Sequence, residues 1–216
     1  MKNTLALLLA VAIAQFTGCG GSGNGSQSAT VRILSNQFSP KVLTIKAGDR
    51  VTWVNADTKP HKIVSGTLLP TTNSQTRTPI ISINQNNTFS PSTFQANLGD
   101  TIQWQNNRMS DFIMDILDET GSLVASLQFV RSGQVLQFSG FPNAGLYTFQ
   151  QRNNPLFAGA VTVFGTPSPN GAFQSQRLNP GDSFTTRLNS PGTFNYFGLN
   201  EAEPNRSFLT GKIVVQ

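Results

Sequence analysis

Few side chains in this chain could bind a metal ion or carry out catalysis. Its 216 residues include one histidine, His61, and one cysteine, Cys19. A single cysteine excludes a disulfide bond within the chain, and a single histidine excludes metal sites that need two imidazoles. Glu201 and Glu203 are carboxylates that could join His61 in a site for Cu(II) or Zn(II), weaker and less selective than a thiolate site.

Each of these groups also has a purely structural interpretation. His61 is then a neutral, buried histidine at the end of a strand, with one ring nitrogen bonded to the backbone. Glu201 and Glu203 are then solvated loop charges. The chain has no second histidine, no Gly-x-Ser-x-Gly motif and no phosphate-binding loop, so we predict that it is not an enzyme.

One segment of the chain is repeated at a fixed offset. Residues 38–55 and 89–106 share Phe-Ser-Pro, Gly-Asp, a tryptophan and a final asparagine, always 51 positions apart. An offset that holds without gaps over 18 positions indicates two copies of one structural unit. The copies differ at His61, whose counterpart at the same offset is Phe112.

The remaining pattern predicts an all-β protein. Short alternating stretches such as 43–46 and 51–54 recur between Gly, Pro and Asn clusters, and helical periodicity is almost absent. Strands of this kind are typical of a β-sandwich with Greek-key connections. Gly48 and Gly99 each precede such a strand, where glycine allows the positive φ of a tight turn.

The first copy resembles the first half of a cupredoxin, the plastocyanin, amicyanin and azurin group of blue-copper proteins. Its residues form the pattern Phe38-x-Pro40-x(4)-Ile45-x(2)-Gly48-Asp49-x-Val51-x-Trp53-x-Asn55-x(5)-His61. Two later stretches, 130–163 and 173–215, resemble the second half of that fold. The resemblance therefore implies two cupredoxin-like sandwiches.

The order of these halves predicts a nested arrangement. Residues 30–67 and 167–216 would form a discontinuous outer domain, and residues 80–165 an inserted one. Insertion into an exposed loop is well tolerated, because the two ends of the loop already lie close together. The alternative, two domains side by side with an unrelated C-terminal module, leaves the first segment with too few strands to bury a face.

The resemblance also implies where copper ligands would stand. Cupredoxins hold copper with a cysteine, two histidines and a methionine. In the outer domain His61 remains, while Gly198 falls at the cysteine and Leu209 at the methionine. In the inserted domain no ligand type remains: the four positions fall at Phe112, Gln151, Asn154 and Phe157. We therefore expect both type 1 copper sites to be lost, with Phe112 and Phe157 forming an apolar plug.

The N-terminus predicts export. Residues 1–19 have Lys2 before an apolar run that is too short to span a membrane, which is typical of a signal peptide. Residues 16–19, Phe-Thr-Gly-Cys, resemble the lipobox of bacterial lipoproteins, which implies that Cys19 is acylated. The alternative is a plain secretory signal with Cys19 incidental. Residues 20–29 form a Gly/Ser/Asn tether, so the chain is expected in the bacterial cell envelope, attached to a membrane by lipid.

Composition and site residues together predict a non-catalytic binding or scaffold module. The 15 basic and 10 acidic residues form no basic run, which argues against nucleic-acid binding. The expected partner is a protein or a glycan, and no cofactor is expected. The alternative is a copper protein for storage, delivery or electron transfer that uses His61 and the loop around Glu201.

Overall fold

The computed structural model of the protein describes residues 26–71, 80–200 and 204–216. The regular structure of these residues consists of strands; they contain no helix, and so none long and apolar enough to cross a membrane. The predicted signal, most of the tether, Cys19, Glu201 and Glu203 lie outside the described residues.

The strands follow one another along the chain with short connections. In order, they are β1 (Ser28–Ile33), β2 (Phe38–Ser39), β3 (Val42–Ile45), β4 (Arg50–Asn55), β5 (His61–Leu69), β6 (Ile80–Ile83), β7 (Phe89–Ser90), β8 (Thr93–Asn97), β9 (Ile102–Asn106), β10 (Phe112–Leu117), β11 (Leu123–Phe129), β12 (Val135–Phe138), β13 (Gly145–Gln151), β14 (Asn154–Phe164), β15 (Thr166–Gln174), β16 (Ser183–Arg187), β17 (Gly192–Asn200) and β18 (Thr210–Val215).

These strands form four sheets around two separate hydrophobic cores. The first core lies between the sheets β16-β4-β1-β2 and β15-β5-β17-β18-β3. The second lies between the sheets β12-β9-β6-β7 and β11-β10-β13-β14-β8. We call them the first and the second sandwich. The prediction of an all-β fold with two sandwiches is confirmed.

Each core is built around the tryptophan of the repeated segment. Burial alternates along β4 and β9, as expected for strands with one face on a core, and Trp53 and Trp104 are completely buried. The ring of Trp53 lies 5.3 Å from Tyr196, edge to face, and Trp104 lies 5.9 Å from Phe149 in the same manner. Aromatic pairs favour this geometry.

In the two Gly-Asp turns, the aspartate side chain bonds to the backbone, which the sequence did not reveal. Gly48 and Gly99 have φ of 89° and 97°, in the left-handed region that favours glycine. The following carboxylates, Asp49 and Asp100, each accept a hydrogen bond from the N–H three residues earlier, at 2.9 and 2.8 Å. Glycine sets the backbone, and aspartate closes the turn.

The two sandwiches contact each other at the beginning of β15 and the loop before β18. Gly165 and Ser207 exchange two backbone hydrogen bonds, of 2.8 and 3.0 Å. The ring of Phe164 lies 5.3 Å from Phe208, edge to face, and the guanidinium of Arg206 lies 4.0 Å from the Phe164 ring centroid. The Arg206 side chain also donates to Gln95 of the second sandwich, at 3.1 Å. The relative position of the sandwiches is therefore set by packing and by hydrogen bonds.

Both sandwiches pack an aromatic ring over a glycine on the adjacent strand. Tyr196 pairs with Gly211 in the first sandwich, and Phe149 pairs with Gly159 in the second. A β-carbon built at either glycine would overlap that ring. Only glycine allows the ring to lie against the backbone here.

We expect Gly211→Ala to lower the free energy of unfolding by about 1–3 kcal/mol, because a methyl group forced into a packed core costs about that much. Urea denaturation followed by tryptophan fluorescence measures the change. Lys212→Ala, at an exposed neighbour on the same strand, is the matched control and should change stability by less than about 0.5 kcal/mol. Equal effects of the two variants would contradict this role for Gly211.

Candidate functional site

The candidate site lies at one end of each sandwich, where the Trp strand ends and the following strand begins. We call these the His61 end of the first sandwich and the Phe112 end of the second. Gly198 pairs with Ile63, and Gln151 pairs with Met114, which is the counterpart of Ile63 at the 51-residue offset. The two positions that the resemblance equates with the copper cysteine are therefore in the same register.

The loop before His61 and the corresponding loop before Phe112 are each held by a buried asparagine. The Asn55 side chain donates to the carbonyls of Lys59 and Leu178 at 2.8 and 3.0 Å, and its oxygen accepts from the N–H of Asp57 at 3.0 Å. Asn106 makes the corresponding contacts in the second sandwich. Asn55 and Asn106 are the last residues of β4 and β9.

His61 is buried at the start of β5, as one interpretation of the sequence predicted, but its partner differs. Its backbone exchanges two hydrogen bonds with Leu178, of 3.0 and 2.8 Å. The ring is 3% exposed, and Nε2 lies 2.8 Å from Oδ2 of Asp57. The expected backbone partner was wrong, because the Asn55 contacts bring the Asp57 carboxylate close to the ring. The sequence signal that could have identified this partner is the aspartate four positions before the histidine.

This pair fixes the hydrogen-bonding state of the imidazole. A carboxylate accepts hydrogen bonds, so Nε2 donates, and in the neutral ring Nδ1 keeps its lone pair. Nδ1 is buried and has no hydrogen-bond partner among the described residues. Burial raises the pKa of Asp57, but hydrogen bonds from His61 and Thr58 outweigh it and hold that pKa below its ordinary value.

Apolar side chains lie close to one side of Gly198 at the His61 end. A β-carbon built on Gly198 would lie 3.1 Å from Cζ of Phe38 and 3.2 Å from Cδ1 of Leu209. These are tighter than ordinary carbon contacts, and both side chains are buried. The hydroxyl of Ser207 donates to the Gly198 carbonyl and so ties the next loop to β17. A side chain at position 198 would therefore press against Phe38 and Leu209, although Gly198 also borders a cavity beside His61.

The Phe112 end is filled by phenylalanine rings. Phe112 and Phe157 are buried, with centroids 5.2 Å apart, and Phe89, the counterpart of Phe38, lies 4.4 Å from Phe157. The Arg108 guanidinium lies 5.7 Å from the centroids of both Phe112 and Phe157. Gln151 and Asn154 pair with each other where β13 turns into β14. The apolar plug expected from Phe112 and Phe157 is confirmed.

The described residues contain no cluster of three or more His, Cys, Asp or Glu side chains that could hold a metal. His61 and Asp57 are two such groups. Asn200 pairs with His61, and Glu201 follows it in sequence, outside the described residues together with Glu203. The donor set around His61 is thus two groups within the part of the chain that the structure describes.

A cavity of about 330 Å³ lies beside His61, between the two sandwiches. A second cavity, of about 390 Å³, lies between the β12–β13 loop and the sheet that contains β17 and β18. Both have the size of small ligand sites. Their charged and amide-bearing lining residues include Asp57, Lys59 and Gln95 in the first, and Lys41, Lys212 and Asn143 in the second.

Comparison with known proteins finds similarity to cupredoxins among solved structures. A purple cupredoxin from Nitrosopumilus maritimus is 21% identical, with TM-score 0.35, and covers 39% of this chain and 98% of its own. An oxidised amicyanin variant and the Cu(I) form of another are each 18% identical, with TM-score 0.34, and each cover 47% of this chain and 98% of their own. No family model and no curated protein matches the chain.

We expect Asp57→Ala to lower the free energy of unfolding at neutral pH by about 1–3 kcal/mol, because it leaves the buried Nε2–H of His61 without an acceptor. The folded-state pKa of Asp57 is lowered, so its contribution is present above the unfolded pKa of about 3.9 and is lost as pH falls through the folded value. Urea titrations between pH 3 and 7 should show the difference between variant and wild type shrinking below about pH 4.

The control for this prediction is Asp111→Ala, at an exposed aspartate in the corresponding loop of the second sandwich. We expect a change of less than about 0.5 kcal/mol at every pH. A loss in Asp57→Ala that stays constant down to pH 3 would argue against a stabilising carboxylate at Asp57.

Proposed function

We propose that this chain is a non-catalytic binding or scaffold module of the bacterial cell envelope, in which cupredoxin-like sandwiches have lost their type 1 copper sites. The crowding around Gly198 is the observation that carries the proposal. Type 1 copper requires a thiolate, and a cysteine at position 198 would meet the buried rings and methyl groups of Phe38 and Leu209. At this position, Phe38 and Leu209 stabilise the fold as part of its apolar core.

The Phe112 end supports the same proposal independently. Burial of a phenylalanine contributes roughly 1.5–3 kcal/mol, and three rings, Phe89, Phe112 and Phe157, pack together where the resemblance would place a metal. Gln151 and Asn154 offer amides, which are poor ligands for copper compared with thiolate and imidazole. Packing rather than coordination would hold this end together.

We also propose that the two sandwiches are nested domains, with 30–67 and 167–216 outside and 80–165 inserted. The support is strand pairing: β5 pairs with β15 and β17, and β18 pairs with β3, while β6 to β14 pair with one another. The arrangement creates two cavities between the domains, with ammonium, carboxylate and amide groups in their walls. A glycan or a polar protein segment suits such walls.

A copper carrier is the second candidate, and one observation favours it. Nδ1 of His61 is a buried nitrogen without a partner, and buried polar groups without partners are rare. In this alternative Glu201 and Glu203 supply carboxylates from the segment that follows Asn200. Such a His-carboxylate site would bind Cu(II) without the blue colour that a thiolate gives.

A Cu(II) titration of the purified chain, read by absorption and electron paramagnetic resonance, distinguishes the candidates. We expect no stoichiometric tight binding. His61 is already bonded to Asp57, and the described residues place no third metal-binding group beside this pair. The titration uses Cys19→Ser as background, because a free thiol binds and reduces copper by itself. His61→Ala and the double variant Glu201→Gln/Glu203→Gln are measured in parallel.

The variants decide how any binding is interpreted. Tight binding of one Cu(II) that is lost in both His61→Ala and the double glutamine variant would overturn the metal-free proposal in favour of the carrier. Weak binding that neither variant changes would be surface binding and would leave the proposal standing. Asp111→Asn is the matched control for loss of an exposed carboxylate.

We further propose that a lipid on Cys19 attaches the protein to a membrane. The support is the lipobox-like sequence at 16–19 together with the polar tether that follows it. The described chain begins at Ser26, whose hydroxyl donates to the Gly48 carbonyl, while Gln27 donates to Asp49. The tether would therefore leave the first sandwich at the Gly48 turn, at the opposite end of β4 from Asn55.

We expect a bacterial host to incorporate labelled palmitate into the wild-type chain, with both label and membrane association lost in Cys19→Ser. Acyl chains supply membrane affinity in proportion to their buried methylene groups, so their loss should release the protein into the soluble fraction. Ser22→Ala, which keeps the cysteine, is the control. Label that persists in Cys19→Ser, or a wild-type chain without label, would contradict lipidation.

A further inference from the structure

The edge strands of the four sheets differ in how well they are protected against pairing with another chain. Natural edges are kept from pairing by short length, proline, charge or a covering element. β2 and β7 are two residues long and are followed by Pro40 and Pro91. β15 contains Pro167 and Pro169. These three edges offer little backbone for a partner strand.

Four further edges are protected by charge, cover or length. β16 ends in Arg187, and β3 lies between Lys41 and Lys46. β8 is held against the first sandwich, where Gln95 accepts a hydrogen bond from Arg206. β12 has four residues.

Among the described residues, β11 is neither short nor covered and has no proline or charge; its one irregularity is a register shift at Val124, near its first residue. It has seven residues, Leu-Val-Ala-Ser-Leu-Gln-Phe, without proline or charge. Among the described residues it pairs with β10 alone, so alternate N–H and C=O groups of β11 point away from the sheet. Exposed apolar side chains border it: Leu123 is 60% exposed, Val130 56% and Val135, on β12, 43%. A long, uncharged edge with apolar borders is a template for another strand.

We propose that β11 pairs with β11 of a second copy of this chain, antiparallel and centred on Ser126. That register places Ala125 opposite Leu127 of the other copy, and Val124 opposite Gln128 of the other copy. The two five-stranded sheets would then continue as one across the two-fold axis.

Self-pairing suits this strand better than pairing with a charged partner, for two reasons. Apolar residues meet apolar residues on the face that carries Ala125 and Leu127, and such cross-strand pairs are favourable. The nearest charges cancel within each copy, because Arg152 donates to Asp115 at 2.8 Å and to the Ser126 hydroxyl at 2.7 Å. The two-fold axis therefore brings two Arg152–Asp115 ion pairs near each other, and no unpaired charge.

Sedimentation velocity on the full chain with Cys19→Ser tests the proposal, because that background cannot form a disulfide dimer. An edge pairing buries less area than most stable dimers, so the measurement covers roughly 1 μM to 1 mM protein. We expect a reversible dimer. Gln128→Lys should raise the dissociation constant of this dimer at least tenfold. In each copy the new lysine would lie opposite the apolar Val124 of the other copy.

Gln137→Lys is the matched control, since Gln137 is an exposed glutamine on the uncharged edge strand β12 of the same sandwich. We expect less than a twofold change in the dissociation constant. A wild-type chain that stays monomeric over the whole range would overturn the proposal and leave the edge to a different protein. Equal effects of the two lysine variants would also overturn it.

A cross-linking experiment tests the register. Ser126→Cys, in the same background, should form an oxidised dimer readily, because each cysteine meets its own copy at the two-fold axis. Gln128→Cys should cross-link at least tenfold more slowly, since its opposite residue is Val124. Equal rates, or a faster rate for Gln128→Cys, would reject the antiparallel pairing centred on Ser126.

Discussion

The parallel pairing of β18 with β3 is the contact on which the first sandwich depends. Residues 212–215 lie beside 42–45, although these segments come from opposite ends of the described chain. Without β17 and β18, the strands before residue 70 could not enclose Trp53, because Tyr196 and Ile213 complete its core. Pairings this distant must overcome a large loop-closure entropy, and the interlocked aromatic rings around Trp53 provide the compensating packing.

Apolar side chains pack at both the His61 end and the Phe112 end. In the first sandwich Phe38 and Leu209 lie against Gly198; in the second, Phe89, Phe112 and Phe157 pack together. His61 is then kept by its bond to Asp57, with Asn55 holding the loop between them.

The contact between the sandwiches gives the His61 end and the edge strand β11 different surroundings. The His61 end borders a cavity whose walls include residues of the second sandwich, among them Gln95 and Phe164. The edge strand β11, by contrast, pairs with β10 alone among the residues that the structure describes. A binding role for the cavities and a self-association role for β11 would therefore use separate surfaces of the molecule.

Sequence by itself determined the all-β class and the two copies, because fixed spacing and strand alternation are local properties. It predicted that His61 is buried and that Phe112 and Phe157 form a plug. It missed Asp57 as the partner of His61, the loop-holding hydrogen bonds of Asn55 and Asn106, and the exposed edge of β11. Those depend on which strands become neighbours, and only tertiary packing brings Leu178 to His61, Phe38 to Gly198 and Arg206 to Phe164.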